Sequence, residues 1–145
     1  MANTQIQQGT LNRLLTQLTL SNFPALNVAS GNFSKSFMTW ALEGTPTTQI
    51  ETATGTVNSP EPYQMATFSF GILRTQPLAA AWLAQLQLGT VLGTAIGYGD
   101  SVAFPSIQLV NTSITGFDPA GWDGQDPTLS IVIRGTFYEN SSVWV

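Results

Sequence analysis

The stretch SPEPYQMATFSF, residues 59–70, decides the fold because it combines the period of a β-strand with a sharply defined start. Alternate side chains of a strand point to opposite faces. One face holds Tyr63, Met65 and Thr67, and the other holds Gln64, Ala66, Phe68 and Phe70. Pro60 and Pro62 lack a backbone N–H, so we expect strand pairing to begin near Tyr63. A single subunit can bury one face against its own core, which leaves the question of what covers the rest.

Strand patterns of the same kind recur along the chain. Strands are predicted over residues 14–20, 33–42, 47–57, 92–101, 106–117 and 128–138. The segment 47–57 has Ile50 and Val57 as its only large apolar residues, so it reads as a polar strand without a core face. In residues 128–138 the alternation of apolar and polar side chains is clear.

One helix is predicted at about 76–88. Thr75 is a suitable N-cap, Pro77 suits the first turn, and the run that follows has no breaker before Gly89. Leu78, Ala81, Trp82, Gln85 and Leu86 form one stripe along the helix. Together the patterns predict a mainly β fold, a sandwich or half-barrel with one flanking helix, in a single domain over residues 1–145.

The charge content is the most informative number in the sequence. Only 8% of the 145 residues are charged, with four basic and eight acidic side chains and a net charge of −4. Soluble proteins typically carry roughly a quarter charged residues. A surface of Ser, Thr, Asn, Gln and apolar atoms is buried against another protein at little desolvation cost. The composition therefore favours an obligate assembly, and the alternative is an extracellular β-domain with a Ser/Thr-rich surface.

The same composition argues against several classes of function. The chain has no His and no Cys, so the common general base, thiolate nucleophiles and disulfides are absent. Its sparse Lys and Arg argue against specific nucleic-acid binding. We expect no cofactor and no enzymatic activity, no signal peptide in MANTQIQQGTLNR, and no membrane span. Lys35 in NFSKSF is expected to be a solvated side chain rather than a catalytic base.

The loop DPAGWDGQDP, residues 118–127, is the remaining candidate for a metal site. Asp118, Asp123 and Asp126 lack the spacing of a calcium-binding helix–loop–helix, and aspartate also favours turns through local hydrogen bonds. We therefore predict plain turns here and no metal site. Likewise, nothing in the spacing of Glu43, Glu51, Glu61 and Glu139 places two carboxylates face to face for glycoside hydrolysis.

The order of short segments resembles that of tail tube proteins of contractile-tailed bacteriophages, which are similar in fold to the inner-tube proteins of type VI secretion systems. The matching segments run from Gly9 to Trp144. They are GTLNRL, NFPALNV, TATGTVNSPEPYQMA, LRTQPLAAAW, LVNTSITGF and IVIRGTFYENSSVW. The resemblance implies two packed antiparallel sheets with a flanking helix. It further implies hexameric rings that stack into an inner tail tube, a rigid anionic conduit for DNA ejection inside a contractile sheath.

The resemblance also implies partners and surfaces. The partners would be further copies of the chain, the sheath, baseplate and tail terminator proteins, a tape-measure protein in the lumen and passing genomic DNA. The virion tail would be assembled in the host bacterial cytoplasm. Lumen-facing residues would be Gln49, Glu51, Thr52 and Thr54. The loop that reaches the next ring would be one of three, residues 43–49, residues 57–62 or the loop 118–127, so the candidate subunit or ring-stacking contacts are Glu43, Thr45, Pro46, Pro60, Glu61, Pro62 and Asp123.

Two alternatives remain open from the sequence. One is another phage ring component, such as a tail terminator or a baseplate tube-initiator. The other is a carbohydrate-binding β-sandwich that uses Trp40, Trp122 or Trp144 as a stacking platform, although core or interface packing also explains these side chains.

Overall fold

The structure is a computed structural model that describes residues 4–35 and 37–144. In this part of the chain it has eight strands and one α-helix, α1, over Pro77–Leu88. The strands are β1 (Gln17–Leu20), β2 (Thr39–Leu42), β3 (Thr47–Glu51), β4 (Thr56–Pro60), β5 (Tyr63–Leu73), β6 (Val91–Tyr98), β7 (Ile107–Asp118) and β8 (Thr128–Tyr138). Short 3₁₀ turns cover Arg13–Leu15, Pro24–Leu26, Ser30–Asn32 and Ser141–Val143.

Six strands form one curled antiparallel sheet in the order β1-β6-β7-β8-β5-β2, and β3 pairs with β4 in a separate hairpin. The long strand β5 pairs with β8 along its whole length, from Tyr63 opposite Tyr138 to Leu73 opposite Thr128. The predicted start of pairing at Tyr63 is thus confirmed. The predicted class, mainly β with a half-barrel sheet and one flanking helix, is confirmed as well.

The core lies on the concave side of this sheet. Ala66, Phe68 and Phe70 of β5 are buried, as are the alternating Leu129, Ile131 and Ile133 of β8. The face of β5 that carries Met65 and Thr67 is only half-buried. Of the two faces of the 59–70 stretch, the phenylalanine face is therefore the inner one.

Close packing across the concave side explains the curl of the sheet. The ring of Phe68 on β5 lies over Gly97 on β6, although two strands separate them in the sheet order. A Cβ on Gly97 would lie 2.6 Å from Phe68 Cζ and 3.0 Å from Met38 Cε. Glycine at position 97 therefore lets the two sides of the half-barrel approach each other.

The predicted helix is confirmed in position and in its inner stripe. Trp82 is fully buried and meets Phe70 edge-on at 5.5 Å between ring centroids, which fixes α1 on the core side of the sheet. The expected N-cap at Thr75 is wrong. Gln76 holds the N-cap position without a side-chain cap bond, and its amide instead bonds the Gly31 carbonyl and the Asn32 side chain.

Several predicted strands have different bounds in the structure, and the strand predicted over residues 92–101 already ends at Tyr98. The strand predicted from residue 14 begins at Gln17, because a 3₁₀ turn precedes it. The strand predicted over 33–42 is regular only over Thr39–Leu42, and Phe33 makes a single bridge to Ile72. The segment 47–57 is not one strand, since a turn at residues 52–55 divides it into two arms of a hairpin.

Candidate assembly surfaces

The β3–β4 hairpin, residues 47–60, is the most unusual element of the subunit. Every one of its residues is exposed, on both faces of the ribbon. An isolated two-stranded hairpin is marginally stable in water at best. Thr52 closes the turn by bonding Gly55 through both its backbone and its hydroxyl group. An ordered, fully solvated ribbon of this kind is well suited to be covered by another molecule.

The two faces of the hairpin differ in chemistry. Ile50 is directly opposite Val57 on one face, and these side chains are 51% and 54% exposed. On the other face Gln49 lies opposite Asn58, with a 3.2 Å hydrogen bond from Gln49 Nε2 to Asn58 Oδ1, and Glu51 lies beside them. We call these the apolar face and the polar face of the hairpin.

The residues predicted to face the lumen all lie in this hairpin. Gln49 and Glu51 are on the polar face, while Thr52 and Thr54 are in the turn. All four are exposed. Their assignment to a channel stays a prediction.

Six of the predicted contact residues are brought together at the base of the hairpin. They are Glu43, Thr45 and Pro46 before β3, and Pro60, Glu61 and Pro62 at the end of β4 and after it. The backbone N–H of Glu61 bonds the carbonyl of Pro46 at 2.9 Å, so two of the three candidate loops form a single unit. A contact between these residues and a second copy of the chain stays a prediction.

Asp123 lies apart from the other six, in the β7–β8 loop. This loop follows β7 and precedes Thr128, which pairs with Leu73 at the far end of β5. The hairpin joins β5 at its other end, before Tyr63. Ten residue steps along β5 place the two ends about 33 Å apart. The subunit therefore presents the hairpin at one end and, at the other, the loop of residues 118–127, which we call the aspartate loop.

In the aspartate loop each aspartate carboxylate accepts a hydrogen bond from the nearby backbone. Asp118, Asp123 and Asp126 each accept a hydrogen bond from the backbone N–H two residues later, at 3.0, 3.1 and 3.0 Å. These are Asx turns, in line with the local hydrogen bonding expected of aspartate here. The guanidinium of Arg74 stabilises the loop, because it donates hydrogen bonds to the carbonyls of Pro119 and Asp126. Among the described residues no group of three or more His, Cys, Asp or Glu side chains could hold a metal ion.

The convex side of the main sheet, which we call the open face, carries side chains that are half-buried or exposed. Its members are Thr19, Thr39, Ala41, Met65, Thr67, Ser69, Thr94, Ile96, Val110, Ser113, Val132, Arg134 and Thr136. Arg134 is the single ionised side chain in this set. Its guanidinium bonds both carboxylate oxygens of Glu43, with the shortest distance 2.6 Å from Nη2 to Oε2.

The Arg134–Glu43 pair ties the base of the hairpin to the open face. The hydrogen bond from Arg134, together with its charge, holds the pKa of the Glu43 carboxyl below its ordinary value against a smaller opposing effect of desolvation. Both side chains remain about half exposed, so the pair contributes little to stability. Its effect is to leave the open face almost neutral.

The two edges of the main sheet differ. The outer edge of β1 is occupied, because Leu18 and Val28 exchange backbone hydrogen bonds at 2.9 Å. Strand β2 pairs with β5 on one side, and in the described part of the chain no strand pairs with its other side. An unpaired edge strand is a template for pairing with another chain. The outer edge of β2 is therefore available for pairing.

The tryptophans do not form a shared platform. Trp40 packs edge-on against Phe137 on the core side, Trp144 packs on Tyr138 near the hairpin base, and Trp122 is 85% exposed in the aspartate loop at the opposite end.

A cavity of about 310 Å³ opens between β2 and β6, and its charged lining residues are Arg13 and Asp100. Within residues 4–35 and 37–144, every helix falls short of the length and apolar character that a membrane crossing requires.

Comparison with solved structures shows which known chains share this fold. A chain in the tail of an empty gene transfer agent particle, obtained by helical refinement with C6 symmetry, has 14% sequence identity and a TM-score of 0.56. The alignment covers 92% of this chain and 99% of that chain. A chain from the virion of a native gene transfer agent particle has 12% identity, a TM-score of 0.55, and coverages of 90% and 99%.

At such low identity these similarities show a common fold over nearly the full length of each chain. No protein-family model matches the sequence. The search of curated proteins likewise finds no match.

Sequence reasoning missed two groups that shape these surfaces. One is Arg134, which lies in the alternating stretch 128–138 and whose partner Glu43 comes 91 residues earlier. The other is Asn140, whose side chain bonds the carbonyls of Pro46 and Glu61. No local pattern signals either contact, since both depend on how the sheet folds.

Proposed function

We propose that this chain is a structural, non-enzymatic subunit of a phage-like virion tail. Six copies close a ring, and the rings stack into the inner tube within a contractile sheath. The observation that carries the proposal is the β3–β4 hairpin, which is ordered as a ribbon yet exposed on both faces. The fold shared with chains of gene transfer agent tail and virion particles supports it, as does the resemblance of the sequence segments to tail tube proteins.

Ring closure would use the edges of the main sheet. The free edge of β2 pairs with a neighbouring copy, as in a barrel that leaves no strand edge unpaired. The open face then lines the channel of the ring. A wall of Thr, Ser and small apolar side chains, with Arg134 neutralised by Glu43, offers DNA no cationic site on which to stick.

Stacking would use the two ends of the subunit. A head-to-tail contact joins two different surfaces and so generates an open-ended stack. The hairpin and its base, with Glu43, Thr45, Pro46, Pro60, Glu61 and Pro62, form the surface at one end. The aspartate loop, with Asp123 and the exposed Trp122, forms the surface at the other.

The chemistry of its two faces suggests how the hairpin docks on the next ring. Its apolar face, with Ile50 and Val57, packs on the next ring because burial there removes apolar surface from water. The polar face then borders the channel with Gln49 and Glu51, and the turn places Thr52 and Thr54 at the ring junction. The remaining partners are the sheath outside, the baseplate and tail terminator at the ends, and a tape-measure protein and DNA in the lumen.

The test is electron microscopy and sedimentation of the purified protein in parallel with a variant in which residues 47–60 are replaced by a short Gly-Ser linker. We expect tubes or stacked rings from the intact chain, and single rings from the variant. Rings that never stack in either protein would favour a terminator or baseplate component instead. A monomer at every concentration, with sheath and baseplate proteins also present, would contradict the proposal.

A further inference from the structure

The C-terminal segment 139–144 folds back across the base of the hairpin. Asn140 has a left-handed backbone conformation, with φ 49° and ψ 57°, which lets the chain reverse direction directly after β8. Asparagine tolerates this conformation better than most residues. The following 3₁₀ turn over Ser141–Val143 then brings Trp144 beside the hairpin base.

The side chain of Asn140 joins both arms of the hairpin base. Its Nδ2 donates to the carbonyl of Pro46 at 3.2 Å and to the carbonyl of Glu61 at 2.7 Å. Pro46 leads into β3 and Glu61 follows β4, so a single amide group bridges the two places where the hairpin enters and leaves the subunit.

Trp144 and Glu139 hold the next residue of the base. The indole Nε1 of Trp144 donates to the carbonyl of Pro62 at 2.9 Å, and the backbone N–H of Glu139 bonds the same carbonyl at 3.2 Å. The Trp144 ring is fixed in turn by an edge-on contact with Tyr138, at 5.3 Å between centroids and 87° between planes. Pro46 and Pro62 further stiffen the base, because their rings fix φ.

We propose that residues 139–144 form a clamp that sets the direction in which the hairpin leaves the subunit. Asn140 and Trp144 are its positioning residues. The inference rests on the proposed function for its purpose. A hairpin already held in its docking direction loses less conformational freedom when the next ring binds it, so it binds more tightly.

The clamp can be tested without disturbing the backbone. Asn140→Gly keeps the left-handed conformation and removes the bridging amide. Trp144→Phe keeps an aromatic ring against Tyr138 and removes the indole donor. The matched control is Asn111→Gly, since Asn111 is also left-handed, with φ 54°, but lies in β7 with its side chain exposed.

The first measurement reports on the hairpin itself. The chain has no cysteine, so Ala53→Cys gives a unique site for a spin label at the hairpin turn. In single subunits, measured well below the thermal midpoint of each variant, we expect the label to become several-fold more mobile in the Asn140→Gly, Trp144→Phe double variant and to be unaffected by Asn111→Gly. Equal mobility in all three proteins would overturn the proposal.

The second measurement reports on stacking. We expect the critical concentration for tube growth to rise about tenfold in the double variant, the effect of roughly 1.4 kcal/mol. Asn111→Gly should leave it unchanged, and an unchanged value in the double variant would contradict the role in stacking. If the wild-type chain forms no tube at all, the proposed function fails, while label mobility still decides whether the clamp holds the hairpin.

Discussion

At the scale of single residues, the Arg134–Glu43 pair predicts a response to acid. The pKa of Glu43 is lowered in the folded protein by the hydrogen bond from Arg134. A carboxyl group with a lowered pKa stabilises the fold at pH values above its unfolded pKa of about 4.3, and that contribution is lost as the pH falls through the lowered value. We therefore expect the ion pair to survive at neutral pH and to break only when the pH falls below the ordinary pKa of glutamate.

An NMR titration of the Glu43 carboxyl carbon checks this directly. In the wild-type protein the midpoint should lie below the ordinary glutamate value, and Arg134→Met should raise it towards that value. Arg13→Met is the control, because Arg13 lines the cavity near Asp100 and not the hairpin base. A Glu43 midpoint that does not move in Arg134→Met would show that the pair is not formed in solution.

Trp82 is the residue on which the packing of α1 depends. It is fully buried, and its indole Nε1 has no hydrogen-bond partner in the described structure. Trp82→Ala should lower the free energy of unfolding by roughly 3–5 kcal/mol through the cavity that it leaves. Trp82→Phe removes no hydrogen bond and should cost clearly less. Urea unfolding measures both, and Trp122→Ala, at a side chain 85% exposed, should stay within about 0.5 kcal/mol of wild type.

At the scale of elements, the two faces of the hairpin should respond differently to mutation. Ile50→Ser with Val57→Ser removes the apolar face, and we expect rings that no longer stack. The control, Gln49→Ser with Asn58→Ser, also replaces two residues, but on the polar face, and it should leave stacking largely intact. Tube length by electron microscopy is the measurement. Loss of stacking only in the polar-face variant would mean that the polar face, and not the apolar face, contacts the next ring.

The curl of the sheet gives a second prediction at this scale. Gly97→Ala would push a methyl group against Phe68 and Met38, so we expect a loss of about 1–3 kcal/mol in unfolding free energy. Gly99→Ala, two residues further on, meets nothing within 4 Å and serves as the control. Chemical denaturation of the two variants side by side decides the matter, and equal stabilities would argue against close packing of Phe68 on β6.

The elements also show how far the sequence alone could lead. The position of α1 and the inner face of β8 were predictable, because Pro77, Gly89 and a clean alternation mark them locally. The hairpin was not recognised, because a ribbon exposed on both faces has no hydrophobic period to reveal where β3 ends. The clamp could not be predicted from the sequence, because the Asn140 side chain forms hydrogen bonds with residues 79 and 94 positions earlier in the chain.

At the scale of the whole molecule, the scarcity of charge predicts how assembly depends on salt. With 8% charged residues, and its one described ion pair lying within the subunit, the protein has few charges to screen at a contact between copies. Burial of apolar and uncharged polar surface would drive stacking instead. Tube formation followed by light scattering should therefore change little as salt rises from low to several times physiological strength. Dissolution of the tubes by moderate salt would show that the few charges dominate the contact.

The position of charge within the tube, rather than its total, should control the passage of DNA. The proposed hexameric ring would carry 6 × −4 = −24, and one added lysine per subunit would make this 6 × −3 = −18. Gln49→Lys places that lysine on the polar face of the hairpin, where we propose that it borders the channel. Gln87→Lys adds the same charge on the exposed side of α1, on the opposite side of the subunit from the open face.

We expect both variants to assemble, and duplex DNA to be retained by tubes that carry Gln49→Lys but not by those that carry Gln87→Lys, because a cation within the channel meets phosphates while one outside does not. Co-sedimentation of DNA with sheathless tubes at low salt measures the retention. Equal retention by both variants would place residue 49 outside the channel, and failure of Gln49→Lys to form rings would place it at a subunit contact.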